Sequence, residues 1–446
     1  MPADSGDLPA ASVLAPPTTT SDPAVAVPDD LLLPSQRRKK HEGRLVAAYA
    51  VALLFGFGTN LAIAITAIPL KAQQIDPDGA TGIVSLVSAL GTLVALVTGP
   101  ITGQLSDRTV ARIGMRRPYV IAGSLVATLG YYLTSQAASG IALALGFCVA
   151  QLGGNLVLSA LIASIADQFA PDRRGLISGV VGGAQTFGIV VVSVVLGALS
   201  PALTPMFLVP AVLAAAAGIL FAVALPDRRL SRADRPPLTL GGIVTTFWVN
   251  PVKHRDYGFA WFSRFALFIG IAAINTYQVF FLIGQLNVDP AEIPARMAVA
   301  SLVLAITSTA GALLAGKVSD RLDRRKPFVW ASAVIFAGGL AGISVVDSFG
   351  TFLAGIAVLG FGQGIYLAVD LVLVTRVLPS TATMGKDLGV LNIASVLPGS
   401  LVPAAAPALL AIGSTGGESN FAALFLTAAA IAIVGALLIL PVRKVR

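Results

Sequence analysis

Twelve apolar runs, each long enough to cross a lipid bilayer, set the first constraint on this chain. A helix needs about 20 residues to span the hydrocarbon layer. Runs of that length occupy about 45–70, 81–105, 119–137, 140–166, 176–199 and 204–225 in the first half, and about 258–285, 296–316, 327–346, 350–375, 388–412 and 420–441 in the second. Inside lipid every backbone N–H and C=O must be satisfied within the segment, so each run is expected to be a helix. Composition agrees, with 56% hydrophobic and 12% charged residues and a mean hydropathy of +0.84. Soluble domains carry about 25% charged residues. A soluble fold would lack the polar residues to cover this much apolar surface. The sequence predicts an all-α integral membrane protein with twelve transmembrane helices.

A charged knot separates the second and third runs: Gly103-Gln-Leu-Ser-Asp107-Arg108-Thr-Val-Ala-Arg112-Ile-Gly114-Met-Arg116-Arg117-Pro118. A second copy separates the eighth and ninth: Gly316-Lys-Val-Ser-Asp320-Arg321-Leu-Asp-Arg324-Arg325-Lys326-Pro327. The shared core recurs 213 residues on, from 103 to 316, close to half of the 446 residues. The chain therefore reads as two related halves of six helices. The predicted organisation is a disordered, Pro- and Ala-rich cytoplasmic tail (1–40), a first bundle (41–225), a cytoplasmic linker (226–257) with a short interfacial helix near Trp248, and a second bundle (258–446).

Basic residues orient the runs. With the N-terminus in the cytoplasm, 27 of the 30 Lys and Arg residues fall on the cytoplasmic side. Lys71 and Arg296 fall outside and Arg264 lies within the seventh run. This positive-inside bias predicts cytoplasmic N- and C-termini and a multi-pass protein of the plasma membrane. It also accounts for the net charge of +8 without nucleic acid as a partner. The single cysteine, Cys148, excludes an intrachain disulfide, and both histidines, His41 and His254, lie in polar stretches. Without convergent nucleophile, base or metal-ligand groups, no enzyme site, metal or cofactor is expected. A Gly-x-x-x-x-Gly-Lys-(Ser/Thr) phosphate loop is also missing, so the chain carries no such ATP site.

Polar groups inside the runs are costly and face a cavity or another helix. The first run offers Asn60, the fourth Gln151 and Asn155 on one helix face, and the fifth Gln185. In the second half the seventh run offers Asn275, Tyr277 and Gln278, and the tenth Gln363, Tyr366 and Asp370. Asn60/Asn275 and Asn155/Asp370 are each 215 residues apart, so the halves set polar groups at matching depths. These ten residues are the candidate substrate-binding set, although a helix–helix hydrogen bond would satisfy any one amide. Asp370 must protonate or find a cation. It is either a coupling acid or the partner of Arg264, Arg376 or Lys386. Pro398, Pro403 and Pro407 are expected to kink the eleventh helix.

Twelve runs, the six-plus-six repeat and the loop together resemble the major facilitator superfamily. Gly103, Leu105, Ser106, Asp107, Arg108, Arg112, Gly114, Arg116 and Arg117 match its signature G-x-L-(S/A)-D-R-x-x-x-R-x-G-R-R, with Met115 replacing the usual basic residue. Arg116-Arg117-Pro118-Tyr119 is similar to the sucrose and glycoside–cation symporter branch. The resemblance implies two pseudo-symmetric bundles that rock about a central site. It implies that Asp107 faces the start of the eleventh helix near Asp387, Leu388 and Gly389, that Arg108 and Arg112 pair with Asp167, and that Asp320 and Arg321 meet the start of the fifth helix. These contacts would latch the cytoplasmic side. The function it implies is secondary active transport of a small organic solute, coupled to protons, by a monomer in the bilayer. Sugar symport and efflux of a drug or metabolite by proton antiport both fit. The first six runs have no acid at mid-membrane, which favours a neutral or anionic solute. A non-transporting sensor or scaffold would have no need of two latches.

Overall fold

The computed structural model describes residues 42–169, 174–228, 230, 254–322, 325–377, 384–413 and 419–440. The predicted tail and most of the predicted linker, Trp248 included, lie outside them. From Gly43 onward the chain packs as one unit.

The described elements are helical. The first rod is built from α1 (Glu42–Ala62), a π-helical turn (Ile63–Ala67) and α2 (Ile68–Ile75). The first half continues with α3 (Ala80–Ser106), α4 (Arg117–Ser135), α5 (Gly140–Gln168), α6 (Arg174–Leu199) and α7 (Leu203–Ala224). The second half holds α8 (Arg255–Gly284), α9 (Ile293–Leu322), α10 (Lys326–Ile343), α11 (Phe349–Val377), α12 (Met384–Val396), α13 (Pro398–Leu410) and α14 (Phe421–Leu437). Counting α12 and α13 as one, ten rods among the described residues are long and apolar enough to cross a membrane. The rods of α4 and α14, with 19 and 17 residues, complete twelve. Ile141, Leu313 and Val223 are 68%, 61% and 71% exposed. In water such apolar surface would drive aggregation, whereas in lipid it is the expected outer coat.

Proline shapes the eleventh rod at one place. α12 ends at Val396 and α13 begins at Pro398, because Pro398 has no N–H for the ladder and its ring crowds the preceding turn. Pro403 and Pro407, expected to kink the rod as well, sit inside α13.

Small residues set the close contacts within each half. A side chain on Gly130 of α4 would overlap the backbone of Ala150 on α5, and one on Gly339 of α10 would overlap the backbone of Leu359 on α11. These glycines are 209 residues apart, the same offset as Arg116 and Arg325, so the repeat extends from sequence to packing. Without water to drive helices together, such backbone approach is the main source of association in lipid.

The core is divided. One cluster, built around Tyr49, Leu161, Phe169 and Phe221, belongs to the first half alone and lies near the charged loop. The other runs through both halves, joining Ile63, Val87 and Leu196 to Ile274, Phe281 and Met297. The halves share a core at the end away from the loop.

Candidate transport site

The charged loop is held by its own half. Arg116 is 4% exposed. Its guanidinium pairs with Asp107 at 2.6 Å and Asp167 at 3.1 Å and donates to the Ser106 hydroxyl at 2.5 Å. Burial alone would lower its pKa, but the hydrogen bond and charge of Asp107, followed by Asp167, raise it above the ordinary value. One Asp227 oxygen accepts the backbone N–H groups of both Arg116 and Arg117, at 2.7 and 2.8 Å. The Arg117 guanidinium donates to the Leu225 carbonyl at the end of α7. Gly114 has φ +115° and lies against the Asp227 carboxylate. A side chain there would be strained and would meet that carboxylate. The second loop repeats part of this plan. Arg325 donates to the Ser319 hydroxyl, and Lys326 reaches the Leu440 carbonyl at 3.2 Å.

The loop expectations are therefore revised in detail. Arg116 carries pairing with Asp167 that was expected of Arg108 and Arg112. Arg108 is half-buried and Arg112 exposed. Asp107, 54% exposed, is bonded to Arg116 rather than resting on the start of α12. Gly103 has open space where a side chain would stand. Arg321 is exposed, and the Asp320 side chain lies outside the described residues.

Among the described residues, hydrogen bonds between the halves gather at the opposite end. Ser85 of α3 meets Tyr277 of α8 at 2.7 Å, and Ser400 of α13 donates to the Ala89 carbonyl at 3.2 Å. Ser193 of α6 meets Ser301 of α9 at 3.4 Å, and Ser200 donates to the Ala291 carbonyl at 2.8 Å. Gly179, Gly182 and Gly183 of α6, and Gly316 of α9, have nothing within 4 Å of a built side chain.

Between these ends lie the polar groups. The Asn60 amide donates to the Gln151 side-chain oxygen at 2.5 Å and to the Tyr131 hydroxyl at 3.3 Å. Asn155 turns back onto the Gln151 carbonyl at 2.8 Å. Gln185, Asn275 and Gln363 are half-buried, and Gln278 is 5% exposed. Tyr277 belongs to the seam with Ser85 rather than to the amide group.

Of the three cations weighed for Asp370, Arg264 is the partner. The Arg264 Nη1 donates to the Asp370 carboxylate, and its Nε donates to the Ser395 hydroxyl of α12 at 2.6 Å. The guanidinium stands 5.4 Å from the centre of the Phe268 ring. Tyr366 stands one turn before Asp370 on the same helix and is buried beside it. The side chains of Arg264 and Asp370 are 17% and 9% exposed. Sequence reasoning had no specific sign of Tyr131 or Asp227. Arg264 did have one, because it is a cation inside an apolar run.

The Major Facilitator Superfamily family model matches residues 48–311 and 260–446, nearly the whole chain. The chain belongs to the Major Facilitator Superfamily. Among solved structures, it is similar to nucleoside transporter NupG at 15% identity and a TM-score of 0.69, covering 88% of this chain and 98% of that one. It is similar to the human organic anion transporter MFSD10 (TETRAN) at 16% identity and a TM-score of 0.63, covering 89% and 99%. At such identities these likenesses concern the fold. Sucrose transport protein SUC4 of Arabidopsis thaliana is 24% identical over 177 residues, which span 36% of this chain and 32% of that relative. The superfamily member described here is a multi-pass membrane transporter rather than an enzyme.

Proposed function

We propose that this chain is a proton-driven secondary active transporter of a small, polar organic solute, and that the structure is its inward-open state. The observation that carries the reading is the one-sided seam. Hydrogen bonds join α3 to α8 and α13, and α6 to α9, at the end away from the charged loops. The positive-inside rule assigns the loop end, with both termini, to the cytoplasm of a plasma-membrane protein. Alternating access closes one end while the other is open. In the outward-open state the seam would part and Asp107 would approach the start of α12.

Amides and hydroxyls on the first half, Asn60, Gln151 and Tyr131, suit a neutral or anionic solute with hydroxyl groups. The partial similarity to a sucrose transport protein agrees with a sugar-like solute. Asp370 serves as the coupling acid, and the transporter works as a monomer. The test is uptake of labelled sucrose, hexoses and hexose acids into proteoliposomes, with and without an inward proton gradient. The gradient is expected to stimulate uptake in the wild type and to have no effect on Asp370→Asn. Equal uptake with and without the gradient would overturn proton coupling. Stimulation only by the reversed gradient would mean efflux by antiport.

A further inference from the structure

The first half shows what an ordinary tie between its first and fourth rods looks like. Tyr49 of α1 bonds the Ser164 hydroxyl of α5, and both residues are fully buried. Asn155 bonds the carbonyl of its own helix. At the 209-residue offset of the packing glycines, Arg264 and Asp370 fall on Phe55 and Leu161 of the first half. The second half therefore places two opposite charges where the first has apolar side chains. In a low-dielectric site an ion pair is no better a tie than a neutral one, because desolvation of both charges offsets their attraction. The charge must serve something besides packing.

Its setting suggests what. Arg264 shares a helix face with Asn275, three turns on, and Asp370 shares one with Gln363 and Tyr366. The pair thus lies on the same stripes as the polar candidates. It is not sealed, since Arg264 keeps 17% of its side chain exposed. Its nearest titratable neighbours among the described residues are Tyr366 on α11, Tyr257 on α8 and buried Asp387 on α12. Phe268 covers one face of the guanidinium, which leaves hydrogen-bonding edges as the route of approach.

We propose that Arg264 is the anion-binding group of the transport site and Asp370 its resting counter-ion. The solute is a small organic anion carrying a carboxylate or sulfonate. The inference rests on the transporter reading and narrows its substrate class. When the solute anion takes Arg264, the displaced Asp370 carboxylate accepts one proton. The site then carries the same net charge loaded as empty, so one anion moves with one proton and transport is electroneutral.

Methanesulfonate, which stays ionised across the pH range, and its neutral isostere dimethyl sulfone separate charge from shape. In purified protein, methanesulfonate is expected to raise the melting temperature saturably at pH 5.5, with at least tenfold weaker apparent affinity at pH 8. Asp370→Asn should bind it equally at both values. The double variant Arg264→Gln/Asp370→Asn, whose site is neutral, should fold and lose binding at least tenfold. If Asp370→Asn alone does not fold, the wild type and the double variant carry the comparison. Equal stabilisation by dimethyl sulfone, or equal methanesulfonate binding by the double variant, would overturn the proposal. An anion site in a protein that moves no solute in proteoliposomes would sink the transporter reading instead. Proton-linked solute uptake that survives in the double variant would sink the anion site and the coupling role of Asp370, and leave the transporter reading standing.

Discussion

Replacing Asp227 by alanine should loosen the joint between the first charged loop and the end of α7 without unfolding the bundle. The carboxylate accepts the N–H groups of Arg116 and Arg117 at 2.7 and 2.8 Å. Hydrogen bonds to a charged group contribute about 1.5–3 kcal/mol each. Asp227 is half-exposed, so water replaces part of both bonds, and a net loss of about 2 kcal/mol for the joint is the reasonable figure. At 1.36 kcal/mol per factor of ten, that is about 30-fold faster opening. Hydrogen exchange of the segment carrying the Arg116 and Arg117 amides should accelerate by that factor. The Ala423 amide, capped by Asn420 at 2.9 Å on α14, serves as the distant control and should not change. Gly114→Ala should act on the same joint, because its new side chain meets Asp227. The two substitutions together should cost less than their sum. Exchange at Arg116 and Arg117 within twofold of wild type would refute the assignment of this joint to Asp227. Equal acceleration at Ala423 would refute it too, since the effect would then be global.

Other consequences of the structure are as direct. A side chain at Gly197 would lie 3.4 Å from the Ala295 Cα, within disulfide reach. Cysteines at both positions, in a Cys148→Ser background, should crosslink on oxidation, cut transport at least tenfold and recover with reductant. Tyr277→Phe removes one seam hydrogen bond, worth about 1 kcal/mol. Labelling of a cysteine at Ala295 by an impermeant maleimide should then rise about fivefold as the seam opens. Gly130→Leu drives a side chain into the Ala150 backbone. It should lower thermal stability sharply, by more than the 1–3 kcal/mol usual for overpacking, while Gly182→Ala in open space should leave the melting temperature unchanged.

Much of this architecture was legible along the chain because lipid imposes a local rule. A run such as 81–105 must be a helix wherever it sits, since its backbone groups have no solvent to satisfy them. The repeated Gly-x-(Leu/Val)-Ser-Asp-Arg core exposed the internal repeat for a related reason: each half must solve the same packing problem. Other features were out of reach. Arg108 and Arg112 were as plausible as Arg116 for pairing with Asp167, because all three are cations on one short loop. Only the path of that loop brings Arg116 onto Asp167. Tyr277 sat among polar candidates by composition, yet its hydroxyl belongs to a seam partner 192 residues away.

The sequence by itself determined the helical rods, their number, the two halves and the charged loop between rods two and three in each. It narrowed Asp370 to an acid that needed a cation. Tertiary structure decided that the cation is Arg264, 106 residues distant, and that Ser400 meets Ala89 across 311 residues. It also decided that the halves touch away from the loops. Burial and helix formation are properties of a segment and its solvent, so neighbouring residues reveal them. Pairing and closure depend on where two rods meet in space, and nothing local to either rod encodes that distance.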